Sequence, residues 1–289
     1  MMKLKVYIKD RFFWKNFAVA IAALSAAATL LTALFDLDCI KSFWLYGVIG
    51  AVVVLAGSAW YAYWQTCSKP KVSFDLSSEL NLNIYEGDLF EQKGIICIPV
   101  NEYFDTHVGD GVIDEGSVHG IFINKFFKGR VAELEERIKA KLPSNASEYE
   151  VHKRRLSNCP DKRYKPGTCI DLREGENTYV LFALTHFDDK DIASVSRAEY
   201  TEVVWKLMNH LSSMAEATPV FMPLFGTRLS RMRRTPQRIL LHLVNTVDFD
   251  DTCVLPGGLN IVIKSLKDLN VNLTTLEYIV KNGITKNEQ

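Results

Sequence analysis

The sequence lacks the cysteine and histidine patterns that hold metal ions or redox-active disulfides. Its six cysteines include no C-x-x-C pair, and its six histidines are scattered, without an H-E-x-x-H motif. These absences exclude a zinc finger and a thioredoxin-like site, and they favour reduced thiols in a cytosolic domain. We therefore predict neither a metal site nor a resident cofactor.

The sequence also lacks an excess of positive charge. Lys and Arg total 34, Asp and Glu total 34, and the formal net charge is zero. No basic stripe interleaved with aromatic residues occurs. Nucleic acid is therefore not an expected partner.

Charge is missing altogether from two long apolar runs near the N-terminus, at residues 17–35 and 43–64. Each run reaches the ~20 residues that a helix needs to cross a bilayer. The linker between them, at 36–42, is so short that it predicts an antiparallel hairpin. Aromatic residues mark its edges, as in membrane interface belts: Phe12, Phe13, Trp14, Phe43, Trp44, Trp60, Tyr61, Tyr63 and Trp64.

The flanking charges predict how this hairpin is oriented. Lysine and arginine precede the first run and follow the second, whereas the linker holds two aspartates and one lysine. The positive-inside rule then places both termini and the large domain in the cytoplasm of a multi-pass inner-membrane protein. The first run also resembles a signal peptide, but it continues past its small residues and a second run follows. Buried helices of a soluble protein are the other alternative, which the aromatic belts disfavour.

Three segments follow from this pattern: a basic cytoplasmic segment at 1–16, a transmembrane hairpin at 17–64, and one domain at 71–289. In the last, short apolar runs alternate with helical periodicity, and the segment 143–166 is polar and irregular. We predict an α/β/α sandwich with a mixed, mostly parallel sheet. Predicted strands cover 72–77, 82–87, 94–100, 168–172, 178–185, 219–226 and 258–265; predicted helices begin near Ser117 and cover 130–142, 198–215, 235–247 and 274–280.

Polar residues and glycines follow several predicted strands, where parallel sheets bind ligands. Backbone N–H groups of glycine loops and helix N-termini suit phosphates. Each feature alone is also typical of an ordinary turn, cap or solvated face, but their shared position favours a ligand site. The candidate ligand-binding residues are Asp88, Asn101, Gly109, Asp110, Gly111, Val112, Gly226, Thr227, Arg228 and Leu229.

This ordered set resembles the macro domain, an ADP-ribose-binding fold, over about residues 80–265. The resemblance is carried by LNIYEGDLF, CIPVN, GDGVIDEGSVHGIF and PLFGTRLSRM. It implies that Asp88 contacts adenine, that Asn101 contacts the distal ribose, and that the loops 109–112 and 226–229 hold the diphosphate.

The chain departs from the family pattern at four positions. Pro99 and Val100 stand where alanines are usual, Asp110 interrupts the glycine run, and Arg228 replaces the last glycine of a Gly-Thr-Gly loop. These departures predict a changed ligand and disfavour the hydrolase activity of the family.

A divergent macro domain behind a two-helix anchor resembles one group, the effector of type II Thoeris anti-phage systems. The resemblance implies a ligand-gated receptor without catalytic residues. By this resemblance, a TIR-domain protein is expected to make an ADP-ribose derivative, similar to histidine-ADP-ribose, which the macro domain senses. The resemblance further implies that the effector forms a homo-oligomer in the lipid bilayer and disrupts it, causing abortive infection.

Two other functions stay open. A membrane-tethered ADP-ribosyl hydrolase could activate a water through His107 or Asp105, beside the glycine-rich loop. No paired base and nucleophile supports it. A scaffold whose macro fold has lost ligand binding is the other alternative, which the retained Asp88 and Asn101 disfavour.

Overall fold

The computed structural model describes residues 11–34, 44–109, 112–151, 159–187, 193–227, 232 and 234–284. The chain divides into two compact units. One comprises Pro70–Val271, and the other joins Met1–Lys69 with Asn272–Gln289. The sequence assigned 71–289 to one domain, whereas the last helix groups with the apolar helices.

The first unit begins with two apolar helices, α1 (Arg11–Leu34) and α2 (Trp44–Thr66), which pack against each other. Within them, Phe12–Leu30 and Gly47–Thr66 are long and apolar enough to cross a membrane, each with a mean hydropathy of 1.4. Their buried side chains include Ala20, Ser58 and Ala62, whose small size lets the two helices approach closely.

Residues 70–271 are built around a mixed sheet with the order β1-β2-β10-β9-β3-β7-β6, and β8 adds to β7. Strands β2, β10, β9, β3 and β7 run parallel to their neighbours in this series, while β1 and β6 form antiparallel edges. The predicted fold class is confirmed. The strands are β1 (Lys71–Ser77), β2 (Leu80–Glu86), β3 (Ile95–Asn101), β4 (Tyr149–Val151), β5 (Lys162–Tyr164), β6 (Cys169–Glu174), β7 (Asn177–Phe187), β8 (Ala193–Ser194), β9 (Val220–Pro223) and β10 (Leu255–Ile263).

Helices cover both faces of this sheet. Successive side chains of a strand point to opposite faces, so Ile96 and Ile98 of β3 meet the helices of one face, α3 (Val118–Phe126) and α4 (Val131–Lys141). On the other face lie α5 (Arg197–Met214) and α6 (Pro236–Asp248), which pack on each other.

The starts of three helices are set by capping residues in the local sequence. Ser117 caps α3, Ser196 and Glu199 form a capping box on α5, and Pro236 opens α6.

The segment 143–166, expected to be irregular, contains a small antiparallel hairpin of β4 and β5. Its strands have three residues each, too short for a recognisable alternation in the sequence. The hairpin lies outside the main sheet among the described strands, and it reaches the loop that follows β3.

The last helix, α7 (Leu273–Ile284), completes the unit of α1 and α2. Asn272 donates from Nδ2 to the carbonyl of Thr66 at 2.8 Å, and Thr274 donates from Oγ1 to the carbonyl of Cys67 at 2.6 Å. The last carbonyl groups of a helix have no partner inside it. Residues at the start of α7 therefore satisfy acceptors at the end of α2.

Candidate functional site

The candidate residues meet at one edge of the sheet, where the parallel strands β2, β9 and β3 end. Asp88 follows β2, Asn101 ends β3, and Gly226 follows β9. Because β10 and β9 separate β2 from β3, the axes of these two strands lie roughly 14 Å apart at ~4.8 Å per strand. The structure thus places Asp88, Asn101 and Gly226 at the carboxyl ends of parallel strands, where parallel sheets bind ligands.

The hydrogen-bond ladder between β3 and β9 opens toward this edge into a gap, here called the crevice. The two strands pair only at their beginnings, through Ile95 with Val220 and Ile96 with Phe221. Beyond that point β9 keeps pairing with β10 up to Pro223, and β3 keeps pairing with β7 up to Asn101. The loops after β3 and β9 therefore flank this gap in the hydrogen-bond ladder.

Asp88 is held in a defined orientation at the start of a short 3-10 helix, Leu89–Glu91. Its Oδ1 accepts from the backbone N–H of Phe90 at 2.8 Å, and its backbone carbonyl accepts from Gln92 Nε2 at 2.8 Å. The side chain is exposed. One carboxylate oxygen fixes the turn, so the other can accept a hydrogen bond from an amine of a ligand.

Asn101 is buried, and its amide is used inside the loop that follows β3. Its Oδ1 accepts from the backbone N–H of Tyr103 at 3.1 Å and of Asp105 at 3.3 Å. Its Nδ2 donates to Asp105 Oδ2 at 2.9 Å. Phe104 in this turn has a φ of 55°, which strains a non-glycine residue. Asn101 is thus first the residue that fixes the loop, and its contact with a ribose stays a prediction.

The glycine-rich turn is described at Gly109 and Val112, while Asp110 and Gly111 lie outside the described residues. Gly109 donates to the carbonyl of Ile113 at 2.9 Å, and Val112 donates to the carbonyl of Gly109 at 2.9 Å. These two N–H groups are therefore occupied within the turn. Gly109 has a φ of 102°, and a β-carbon there would meet no atom of the described residues within 4 Å. The backbone here has a conformation that favours glycine.

The second glycine loop is described up to Thr227, which is half-buried; Arg228 and Leu229 lie outside the described residues. Gly226 has a φ of 89°, and a β-carbon there would lie 2.9 Å from Tyr200 Cε2 and 3.0 Å from Met232 Sδ. The residue must be glycine for both conformation and space. It positions the start of the loop against α5.

The β4–β5 hairpin supports the loop after β3, a contact that the sequence did not predict. The backbone N–H of Tyr164 donates to the carbonyl of Glu102 at 2.9 Å, and the Tyr164 ring meets the Phe104 ring edge-on, with centroids 5.8 Å apart. The buried Glu102 carboxylate accepts from the N–H of Phe187 at 2.8 Å and lies 3.8 Å from Arg163 Nε. The hairpin and β7 therefore hold this loop from two sides.

The two residues proposed for water activation differ in their exposure. Asp105 is fully buried and bonded to Asn101, whereas His107 is exposed. A third residue, His119 in the first turn of α3, is buried, and its Nε2 has no hydrogen-bond partner among the described residues. Desolvation lowers the pKa of His119 to about 3, so the ring is neutral at physiological pH. Among the described residues no cluster of His, Cys, Asp and Glu could hold a metal ion.

Comparison with known proteins identifies the family of the domain that carries these candidate residues. Residues 82–264 match the family described as Thoeris protein ThsA, Macro domain. Thoeris protein ThsA of Bacillus amyloliquefaciens (strain Y2) is 26% identical over 221 residues, which cover 71% of each chain.

Solved macrodomains share the fold. An Oceanobacillus iheyensis macrodomain mutant with ADPR superposes with a TM-score of 0.50 at 11% identity, covering 73% of this chain and 99% of that one. The macrodomain of the same organism with MES bound gives a TM-score of 0.50 at 11% identity, covering 73% and 98%. Since the family match spans more than half of the chain, the protein belongs to the ThsA macro-domain family.

Proposed function

We propose that this protein is a membrane-anchored anti-phage effector that is switched on by a nucleotide signal. Its macro domain binds an ADP-ribose derivative, with histidine-ADP-ribose as the specific candidate, made by a TIR-domain protein. Binding drives assembly of several copies, and the assembled apolar helices disrupt the inner membrane and end the infection abortively. Both termini and the macro domain face the cytoplasm.

The crevice between β3 and β9 is the observation that carries the ligand-binding part. It is flanked by the loop that Asn101 fixes and by the loop that Gly226 begins. Asp88, exposed and oriented by the Phe90 N–H, lies farther along the same edge. A nucleotide with a base at Asp88 and a diphosphate near the glycine loops spans this edge. The family match over residues 82–264 supports this ligand class.

The exposure of α1 and α2 supports the membrane part. Only 11% of each apolar window is buried, so valine, leucine and tryptophan side chains face outward. Val53 is 64% exposed and Trp60 is 73% exposed. A core helix of a soluble protein buries such side chains, whereas a membrane helix leaves them to the lipid. Exposed Ala22, Gly50 and Gly57 allow helices of other copies to approach closely.

The direct test is calorimetric titration of the full chain in lipid nanodiscs with histidine-ADP-ribose and with plain ADP-ribose. We expect tight binding of the conjugate, weaker binding of ADP-ribose and no product by chromatography. Asp88→Asn should lose affinity, while the matched control Asp75→Asn should not. Asp75 is also an exposed aspartate that accepts through Oδ1, but it lies on the edge strand β1.

Other outcomes of the same titration reject parts of the proposal. Comparable binding of ADP-ribose followed by turnover favours the hydrolase. Binding of neither nucleotide rejects the receptor. The assembly step has its own readout: added conjugate should convert the protein to larger complexes and release dye from liposomes that contain it. Ligand binding without either change rejects the effector mechanism.

A further inference from the structure

An open cavity of about 510 Å³ lies on the surface of the unit of α1, α2 and α7. It is lined by residues from the start of α1 and from the end of α2. Its lining includes Phe12, Trp64, Lys69, Glu277, Tyr278 and Lys281. Neither the macro fold nor the ligand crevice uses this cavity.

Two lysines from different parts of the chain converge on one carboxylate in this cavity. Lys69 Nζ lies 2.5 Å from Glu277 Oε2, and Lys281 Nζ lies 2.8 Å from Glu277 Oε1. Burial raises the pKa of Glu277, but hydrogen bonds from Lys281 and Lys69 outweigh it and hold the pKa below its ordinary value. The glutamate is ionised and the three groups carry a net charge of +1. An ammonium group has three donors, so binding a carboxylate is compatible with binding a phosphate oxygen.

Aromatic rings flank this charged group. The rings of Phe12 and Tyr278 lie with centroids 4.5 Å apart, and Lys15 Nζ lies 4.8 Å from the centroid of Tyr278. The Trp64 side chain is 65% exposed at the end of α2. Aromatic and cationic residues at the end of apolar helices are typical of the headgroup level of a membrane.

We propose that this cavity binds the phosphodiester headgroup of an anionic glycerophospholipid. The phosphate oxygens accept from Lys69 and Lys281, the headgroup packs against Tyr278 and Trp64, and the acyl chains follow the exposed apolar surface of α1 and α2. Glu277 holds the two ammonium groups side by side. The site rests on the proposed function only in requiring that α1 and α2 span the membrane.

The test is native mass spectrometry of the full chain released from nanodiscs of equal phosphatidylglycerol and phosphatidylcholine. We expect one phosphatidylglycerol retained per chain in preference to phosphatidylcholine. Each lysine near an anionic lipid surface contributes roughly fivefold in affinity. Lys69→Gln with Lys281→Gln should therefore lower retention by roughly 25-fold, while Glu277→Gln should raise it. Lys71→Gln removes an exposed lysine two residues from Lys69, outside the cavity, and should leave retention unchanged.

The outcomes separate this site from the anchor. Alkaline carbonate extraction of wild-type membranes releases the chain if α1 and α2 do not span, which rejects the anchor. A chain that stays in the membrane but retains both lipids equally rejects the headgroup site alone. Equal loss of retention in Lys71→Gln also rejects it, because general surface charge then accounts for the binding.

Discussion

Replacing Gly226 by alanine tests whether the loop after β9 depends on both the conformation and the space of that glycine. At a φ of 89° an alanine adopts the left-handed region, which costs ~1–2 kcal/mol. Its β-carbon also lies 2.9 Å from Cε2 of Tyr200, a fully buried residue of α5 whose ring contacts the Phe225 ring. Overpacking of this kind costs ~1–3 kcal/mol. The Gly226→Ala variant should therefore lose about 2–5 kcal/mol of unfolding free energy.

Two other glycines separate strain from crowding. Gly129 has a φ of 77° and Gly109 a φ of 102°, and a β-carbon at either would meet no atom within 4 Å in the part of the chain that the structure describes. Gly129→Ala should show the strain alone, about 1–2 kcal/mol, without an effect on ligand binding. Gly109→Ala carries the same strain but fills space beside the crevice, so it should also weaken nucleotide binding.

The assay is chemical denaturation of the full chain in nanodiscs, followed by circular dichroism, with a nucleotide titration of each variant. The difference between Gly226→Ala and Gly129→Ala isolates the contact with Tyr200 and Met232, since both carry the left-handed backbone. If Gly226→Ala costs no more than Gly129→Ala, the close packing at the loop is wrong. If Gly109→Ala binds nucleotide as wild type does, the turn at Gly109 is not part of the ligand site.

Three further predictions concern single side chains. Asp88→Ala removes the N-cap of the helix Leu89–Glu91 and should lower the unfolding free energy by ~1 kcal/mol. Asp88→Asn keeps this cap and should lose only ligand affinity, and thermal unfolding of both variants compares their stability. The pKa of His119 is about 3 in the folded chain against an ordinary value of 6.5, so the unfolded chain binds more protons between these pH values. Stability should therefore fall as the pH drops below 6.5, by ~2–3 kcal/mol at pH 4.5, and denaturation of His119→Phe should lack this loss. Tyr164→Ala removes a buried ring from the loop after β3 and should cost ~3–5 kcal/mol while weakening nucleotide binding, as measured by denaturation and titration; unchanged binding would contradict the supporting role of the hairpin.

Strong patterns in the sequence were sufficient for most of the fold. The run at 94–100 is apolar throughout and became β3, buried on both faces, while Leu134 and Ile138 share the buried side of α4 as their spacing predicted. The order of strands and glycine turns placed Asp88, Asn101 and Gly226 at one edge, because parallel strands end together. Local hydrophobic spacing is therefore sufficient to predict these strands and helices, because it does not depend on contacts between distant residues.

Contacts between distant segments could not be predicted in this way. The three-residue strand β5 pairs with β4 and is also held by the hydrogen bond from the Tyr164 N–H to the Glu102 carbonyl. The local sequence gives no sign of this contact between distant residues. The assignment of α7 to the anchor depends on Asn272 reaching Thr66, some two hundred residues earlier. At Asn101 the residue type suggested a free ligand group, whereas the fold uses its amide to bind Asp105.

Because the anchor unit is discontinuous in sequence, its assembly is ordered in time. Residues up to Lys69 leave the ribosome first, and their third helix follows only after Pro70–Val271 has been made. At ~5–20 residues per second this interval lasts on the order of 10–40 s. During it the end of α2 lacks the caps that Asn272 and Thr274 provide. A chain whose synthesis stops before Asn272 therefore lacks both of these hydrogen bonds, and the carbonyl groups at the end of α2 stay without these partners.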